Sequence, residues 1–166
     1  MTTNQDTAVI PPGMEFAGPD YGFAPGRIAN GLLFIAGQIG VDETGKLGAT
    51  EQAQAELAFA SLNKVLSAAG CSFADIVEMT TMHVGDCTKV NEWFLPLKKD
   101  LFSHPYPAWT SLGVTSLAIP GAFIEISAVA KIPSFASLHA QSYTPSCVNH
   151  STIGNHSALP EGLVTN

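Results

Sequence analysis

The segment from Thr50 to Ala69 constrains the fold most, because it reads as a helix with one face that must be covered. Ala55, Phe59, Leu62, Leu66 and Ala69 recur at spacings of four and three, which places them on one stripe of an α-helix. Thr50 offers a side-chain oxygen to the orphan N–H groups of the first turn, and Glu51 complements the positive end of the helix dipole. Gly70 supplies the left-handed stop.

The neighbouring segments supply strands for such a helix to pack on. Phe23–Ala29 and Gly31–Ala36 read as two strands turned at Asn30–Gly31, a dipeptide suited to the positive φ of a tight hairpin. Asp42–Gly45 has the composition of a turn. Ile76–Val84 is β-branched and reads as a strand. Thr88–Phe102 reads as a second helix, with Val90, Phe94, Leu97 and Leu101 on one face. Pro96 removes one backbone bond from that helix, so a kink near Glu92–Pro96 or a late start is expected. Two further strands, Ala108–Leu117 and Ala122–Ile132, are joined around Pro120–Gly121. The order is β-β-α-β-α-β-β, an α+β pattern in which two helices cover one face of a mixed sheet. The strands are more apolar than a solvent-facing sheet needs, so the other face is expected to be buried in a closed symmetric oligomer.

All of this periodicity falls in residues 22–133. Residues 1–21 read as a Pro/Gly-rich arm, and residues 134–166 as an irregular tail rich in Ser, Asn, His and Thr. With 166 residues, 46% hydrophobic and 13% charged, the chain is expected to form one packed domain.

Charge and cysteine usage exclude several classes of function. A net charge of −7, from 7 Lys+Arg against 14 Asp+Glu, provides no cationic footprint for nucleic acid. The one adjacent basic pair, Lys98–Lys99, is expected on a solvated helix face. Cys71, Cys87 and Cys147 are odd in number and widely spaced, which suits reduced thiols in the cytoplasm rather than a disulfide framework or a zinc site. The first residues lack a basic and an apolar signal region, and no apolar run approaches the ~18 residues of a membrane span. No signal peptide and no membrane association are expected. His83, His104, His139, His150 and His156 have no metal-ligand spacing, so no metal is expected. His83 is expected in the core or an interface.

No nucleotide-binding, metalloprotease or serine-hydrolase motif is present. Glu125 is the informative carboxylate. It interrupts the apolar run Phe123–Ile126, and therefore either faces solvent on the polar side of its strand or enters a pocket.

Four segments, in order and in register, resemble the Rid (YjgF-like) family: Leu33–Ile39 (LFIAGQI), Ala68–Val77 (AAGCSFADIV), Pro107–Ser111 (PAWTS) and Ile124–Ala130 (IEISAVA). The resemblance covers about residues 22–133. It implies a chorismate-mutase-like fold, a homotrimer with pockets at the subunit interfaces, and a small-molecule substrate. It also implies hydrolysis of reactive enamines or imines without a metal or an organic cofactor.

In that family an arginine holds the substrate carboxylate and a glutamate near the end of the last strand helps activate water. A tyrosine and a glycine line the pocket. Carried onto this chain, the glutamate is Glu125, the glycine Gly37 and a helix asparagine Asn91. The tyrosine position holds Phe23 and the arginine position Trp109, with Thr110 and Ser111 beside it as further candidate contacts. A Trp cannot reproduce the bidentate guanidinium fork. The resemblance therefore implies a substrate other than 2-aminoacrylate, with an apolar, aromatic, cationic or neutral ligand suggested by Trp109 and Phe23. Two alternatives stay open. Trp109 either lines the pocket or fills it with its own side chain and leaves no active site, and the chain is either an enzyme or a non-catalytic ligand-binding or regulatory trimer that uses the family cleft.

Overall fold

The computed structural model describes residues 7–133. The tail, with His139, Cys147, His150 and His156, lies outside them. Ten elements follow one another: β1 (Thr7–Val9), α1 (Ala17–Tyr21), β2 (Gly26–Ala29), β3 (Leu32–Ile39), α2 (Glu51–Ala68), a 3₁₀ turn (Phe73–Asp75), β4 (Ile76–Val84), α3 (Cys87–Leu101), β5 (Ala108–Val114) and β6 (Ile124–Lys131). The strands form one six-stranded sheet in the order β1-β2-β3-β6-β4-β5. All pairs are antiparallel except β4–β5, which is parallel and is connected through α3. The fold is the mixed α+β arrangement expected from the sequence.

The start of the sheet follows local chemistry. Asn30 (φ 51°) and Gly31 (φ 76°) are both left-handed, so Ala29 pairs with Leu32 across a two-residue turn. The strand expected from Phe23 begins only at Gly26, after Pro25, which has no N–H to give a ladder. Residues 7–21, expected as an arm, contribute the edge strand β1 and the five-residue helix α1. Neither is long enough to show a period in the sequence.

Helix α2 is capped as its sequence requires. Thr50 Oγ1 accepts from the Ala53 N–H at 3.1 Å, and Gly70 takes φ +70°. The Cys71 N–H then donates back to the Leu66 carbonyl at 2.9 Å, closing the C-terminus. Ala55, Phe59, Leu62 and Leu66 are buried, as their stripe demands.

Helix α3 starts at Cys87, with Asp86 accepting from the Thr88 N–H at 3.0 Å, so there is no late start. Pro96 lies inside the assigned helix. The cap and the burial of Val90 and Phe94 outweigh the one backbone bond that Pro96 forgoes.

Helices α2 and α3 cover the same face of the sheet. Leu33, Ile35, Met79, Ile124, Ile126, Ala128 and Ala130 point into that layer and join Phe59, Leu62, Leu66 and Phe94 in one core. Gln54 ties α2 to the chain leading into β6. Its amide donates to the carbonyls of Gly48 (3.3 Å) and Gly121 (3.1 Å) and accepts from the Phe123 N–H at 2.7 Å. Among the described residues, α2 and α3 leave the opposite face uncovered. Phe34 and Leu112 are exposed there, and Met82, Val84 and Val129 are half-buried.

Candidate active site

Strand register decides which candidate residues can meet. Met82 stands opposite Glu125, and three residues earlier Met79 stands opposite Trp109. Side chains alternate along β4, so residues an odd number apart face opposite ways. Met79 is fully buried in the helix-covered core, which puts Trp109 on the helix side and Glu125 on the open side. Within one chain the two principal candidates are separated by the sheet.

On the open side, Glu125 and Gly37 come together. Ile35 pairs with Ala128 and Gln38 with Ile126, so Ala36 and Gly37 together oppose the single residue Ser127. This bulge turns Gln38 inward, where it is buried, and brings the Gly37 backbone against the Glu125 side chain. A Cβ on Gly37 would collide with the Glu125 carboxylate and would lie 2.8 Å from its Cγ. Only glycine lets the half-buried carboxylate lie where it does. Thr110 is exposed on this same side, in register with Thr80.

On the helix side, Trp109 is held from three directions. Its Nε1–H donates to Thr81 Oγ1 at 3.1 Å. Phe94 of α3 lies 6.0 Å away, with its ring tilted 32° to the indole. The Lys98 ammonium sits 3.7 Å from the ring centroid, a cation–π contact. Thr81 is fully buried and also lies 3.1 Å from His83 Nε2. His83 is 1% exposed, and burial pushes its pKa down to about 4, so the ring is neutral at pH 7. His83 Nδ1 and Ser111 Oγ are buried with no hydrogen-bond partner among the described residues. Asn91 lies on α3, half-buried and seven residues before Lys98, which places the two on nearly one stripe of the helix.

Phe23 is exposed in the connection after α1, 6.5 Å from the Tyr21 ring. The structure thus brings Glu125 to Gly37, and gathers Trp109 and Ser111 on the face that α3 covers. Lys98, absent from the candidates, lies against one of them. Its pairing with Lys99 suggested a solvated face, yet the two side chains diverge: Lys99 is exposed, whereas Lys98 is half-buried over the indole. Spacing along α3 alone could not reveal this, because the indole arrives from β5. Among the described residues no cluster of three metal-ligating side chains occurs, and no helix is long and apolar enough to cross a membrane.

Residues 18–132 match the family model described as Endoribonuclease L-PSP. The chain belongs to the Rid (YjgF/RutC-like) family. It is 39% identical over 128 residues to the RutC family protein YjgH of Escherichia coli K12, covering 76% of this chain and 95% of that protein. A solved structure of YjgH superposes with a TM-score of 0.69 at 38% identity, covering 78% of this chain and 98% of the other. The human 2-iminobutanoate/2-iminopropanoate deaminase is 36% identical over 104 residues, 59% of this chain and 71% of its own length. The site of this Rid protein therefore sits on a scaffold shared with imine deaminases.

Proposed function

We propose that the protein is a cytoplasmic Rid-type enzyme that hydrolyses or tautomerises a small reactive imine or enamine, using water and no metal or organic cofactor. The observation that carries this reading is the seating of Glu125 against Gly37 in the β3 bulge. A carboxylate held in an apolar strand, on the face that α2 and α3 leave uncovered, suits a general base for water. In hydrolysis Glu125 takes a proton from water as the oxygen bonds to the imine carbon. Glu125 returns that proton to the nitrogen, the new hydroxyl gives up a second one to it, the C–N bond breaks, and a ketone and ammonia leave. Backbone N–H groups beside Gly37 would polarise the electrophile. In tautomerisation no water adds: Glu125 takes a proton from the enamine nitrogen and delivers it to the β-carbon, giving the imine.

Opposite placement of Glu125 and Trp109 supports a pocket between subunits of a homotrimer. One chain would contribute Glu125, Gly37 and Phe23, and its neighbour Trp109, Ser111 and Asn91, with Thr110 at the junction. Strand β5 is a sheet edge, and the open face beside it carries Phe34, Leu112, Met82 and Val129, apolar surface suited to association. The relatives named 2-iminobutanoate/2-iminopropanoate deaminase support imine chemistry. Ribonuclease activity, suggested by the family's description, is not favoured by a net charge of −7.

Trp109 in place of an arginine argues for a substrate other than 2-aminoacrylate. Its indole N–H is already given to Thr81, so it offers the ligand no hydrogen bond. Losing a charge-assisted bond costs about 1.5–3 kcal/mol of binding. The engagement of the indole by Thr81, Phe94 and Lys98 also favours a second reading, a non-catalytic ligand-binding trimer. Ammonia release from a panel of imines, generated in situ by amino-acid oxidases, separates the two. Turnover abolished by Glu125→Ala supports the enzyme. No turnover on any imine, and none gained in Trp109→Arg, supports the binding protein.

A further inference from the structure

We propose that Lys98 is the anion-recognising residue of this site, its ammonium held over the Trp109 indole to take the carboxylate of an anionic substrate. This rests on the reading of Trp109 as part of a ligand site and names the substrate class that such a site selects.

Four observations converge on Lys98. Its Nζ lies 3.7 Å from the Trp109 ring centroid, and an ammonium carries three N–H donors, more than one ring face takes up. The platform beneath it is fixed, because Trp109 Nε1 is bonded to Thr81 and the indole lies beside Phe94. Among the described residues no carboxylate forms an ion pair with Lys98, in a chain with twice as many acidic as basic side chains. Desolvation, followed by the neighbouring charge of Lys99, lowers the Lys98 pKa, as for a cation short of its counterion. Lys99, one residue on, is exposed and shows none of this geometry.

A cation already on the indole face discourages a second one, which removes cationic ligands from the classes that Trp109 alone suggests. An ammonium is a point charge, whereas a guanidinium is a planar fork. Lys98 would therefore fix the charge of a carboxylate without fixing its plane. The site would accept 2-imino acids whose bulk tilts the carboxylate away from the orientation a fork requires.

The test is binding of 2-oxobutanoate against its neutral amide, 2-oxobutanamide. Trp109 fluorescence is read in a Trp93→Phe background, where it is the one remaining Trp, and calorimetry on chains retaining Trp93 covers the case in which that background misfolds. The acid is expected to bind about ten- to a hundredfold more tightly than the amide. Lys98→Met should erase the preference, Lys98→Arg should keep it, and Lys99→Met should leave it unchanged. An acid that does not outbind the amide, or a preference that survives Lys98→Met, overturns the assignment. Glu125→Ala separates this from the enzymatic reading. Lys98-dependent binding with no imine turned over refutes catalysis alone. Glu125-dependent turnover with an acid-to-amide ratio indifferent to Lys98→Met refutes the role of Lys98 alone.

Discussion

Gly37→Ala adds one methyl group where the Glu125 side chain already lies, and its effects on stability and on activity should separate. The new Cβ would meet the Glu125 carboxylate and stand 2.8 Å from Cγ, so something must move. The obstacle is the end of a flexible side chain, so Glu125 yields first and the sheet does not. An off-rotamer glutamate costs about 0.5–1.5 kcal/mol. Replacing glycine with alanine restores about 0.4–1 kcal/mol by restricting the unfolded chain. Gly37 does not require a positive φ, so the two effects nearly cancel and folding stability should change by less than about 1 kcal/mol. Catalysis has no such compensation. A base displaced by about 1 Å loses on the order of a hundredfold in rate. Urea unfolding followed by fluorescence measures the first quantity, and ammonia release on a verified imine the second. The decisive measurement is the double variant. If Gly37 acts through Glu125, Gly37→Ala/Glu125→Ala should be no slower than Glu125→Ala alone. Full activity in Gly37→Ala, or additive losses in the pair, would refute the coupling.

Three other perturbations probe the scaffold around the site. Thr81→Val keeps the shape of a buried side chain but leaves Trp109 Nε1–H and His83 Nε2 without their shared partner, and should cost about 2 kcal/mol or more. An unchanged urea midpoint would show that this cluster contributes nothing. Gln54→Leu removes three hydrogen bonds, two from α2 to the β6 lead-in and one to Gly48 ahead of α2, an expected loss of about 3 kcal/mol with faster exchange of the Phe123 amide. Protection of that amide equal to wild type would contradict the clamp. His83, whose pKa falls to about 4 on folding from an ordinary 6.5, binds its proton more readily in the unfolded chain. Its contribution is therefore fully present above pH 6.5 and is lost as pH falls from 6.5 towards 4. His83→Gln should flatten that part of the stability–pH curve, and a slope identical to wild type would exclude His83 as its source.

Local chemistry made much of the fold legible in the sequence. The stripe of α2, its Thr50 cap and Gly70 stop, the Asn30–Gly31 turn and the β-branched run Ile76–Val84 each act within a few residues, and each appears in the structure where the chain places it. Elements too short to carry a period, β1 and α1, were not legible, and the onset of β2 was set by Pro25 rather than by the apolar run around it. Glu125 and Gly37 were recognisable as separate motif residues, 88 positions apart in the chain. Their contact depends on the bulge at Ala36–Gly37, which exists only once β3 is paired with β6.

The sequence by itself determined which residues could serve in chemistry, because residue type and short-range pattern are written in the chain. Tertiary structure decided which face of the sheet each one serves. Alternation shows that neighbouring residues point apart, but only the registers Met79–Trp109 and Met82–Glu125 show that these two residues lie on opposite sides. The same packing of α3 on β5 carried Lys98 out of the solvated pair in which the sequence had placed it and onto the indole of Trp109. That contact joins a helix to a strand, and no spacing within either segment could have revealed it.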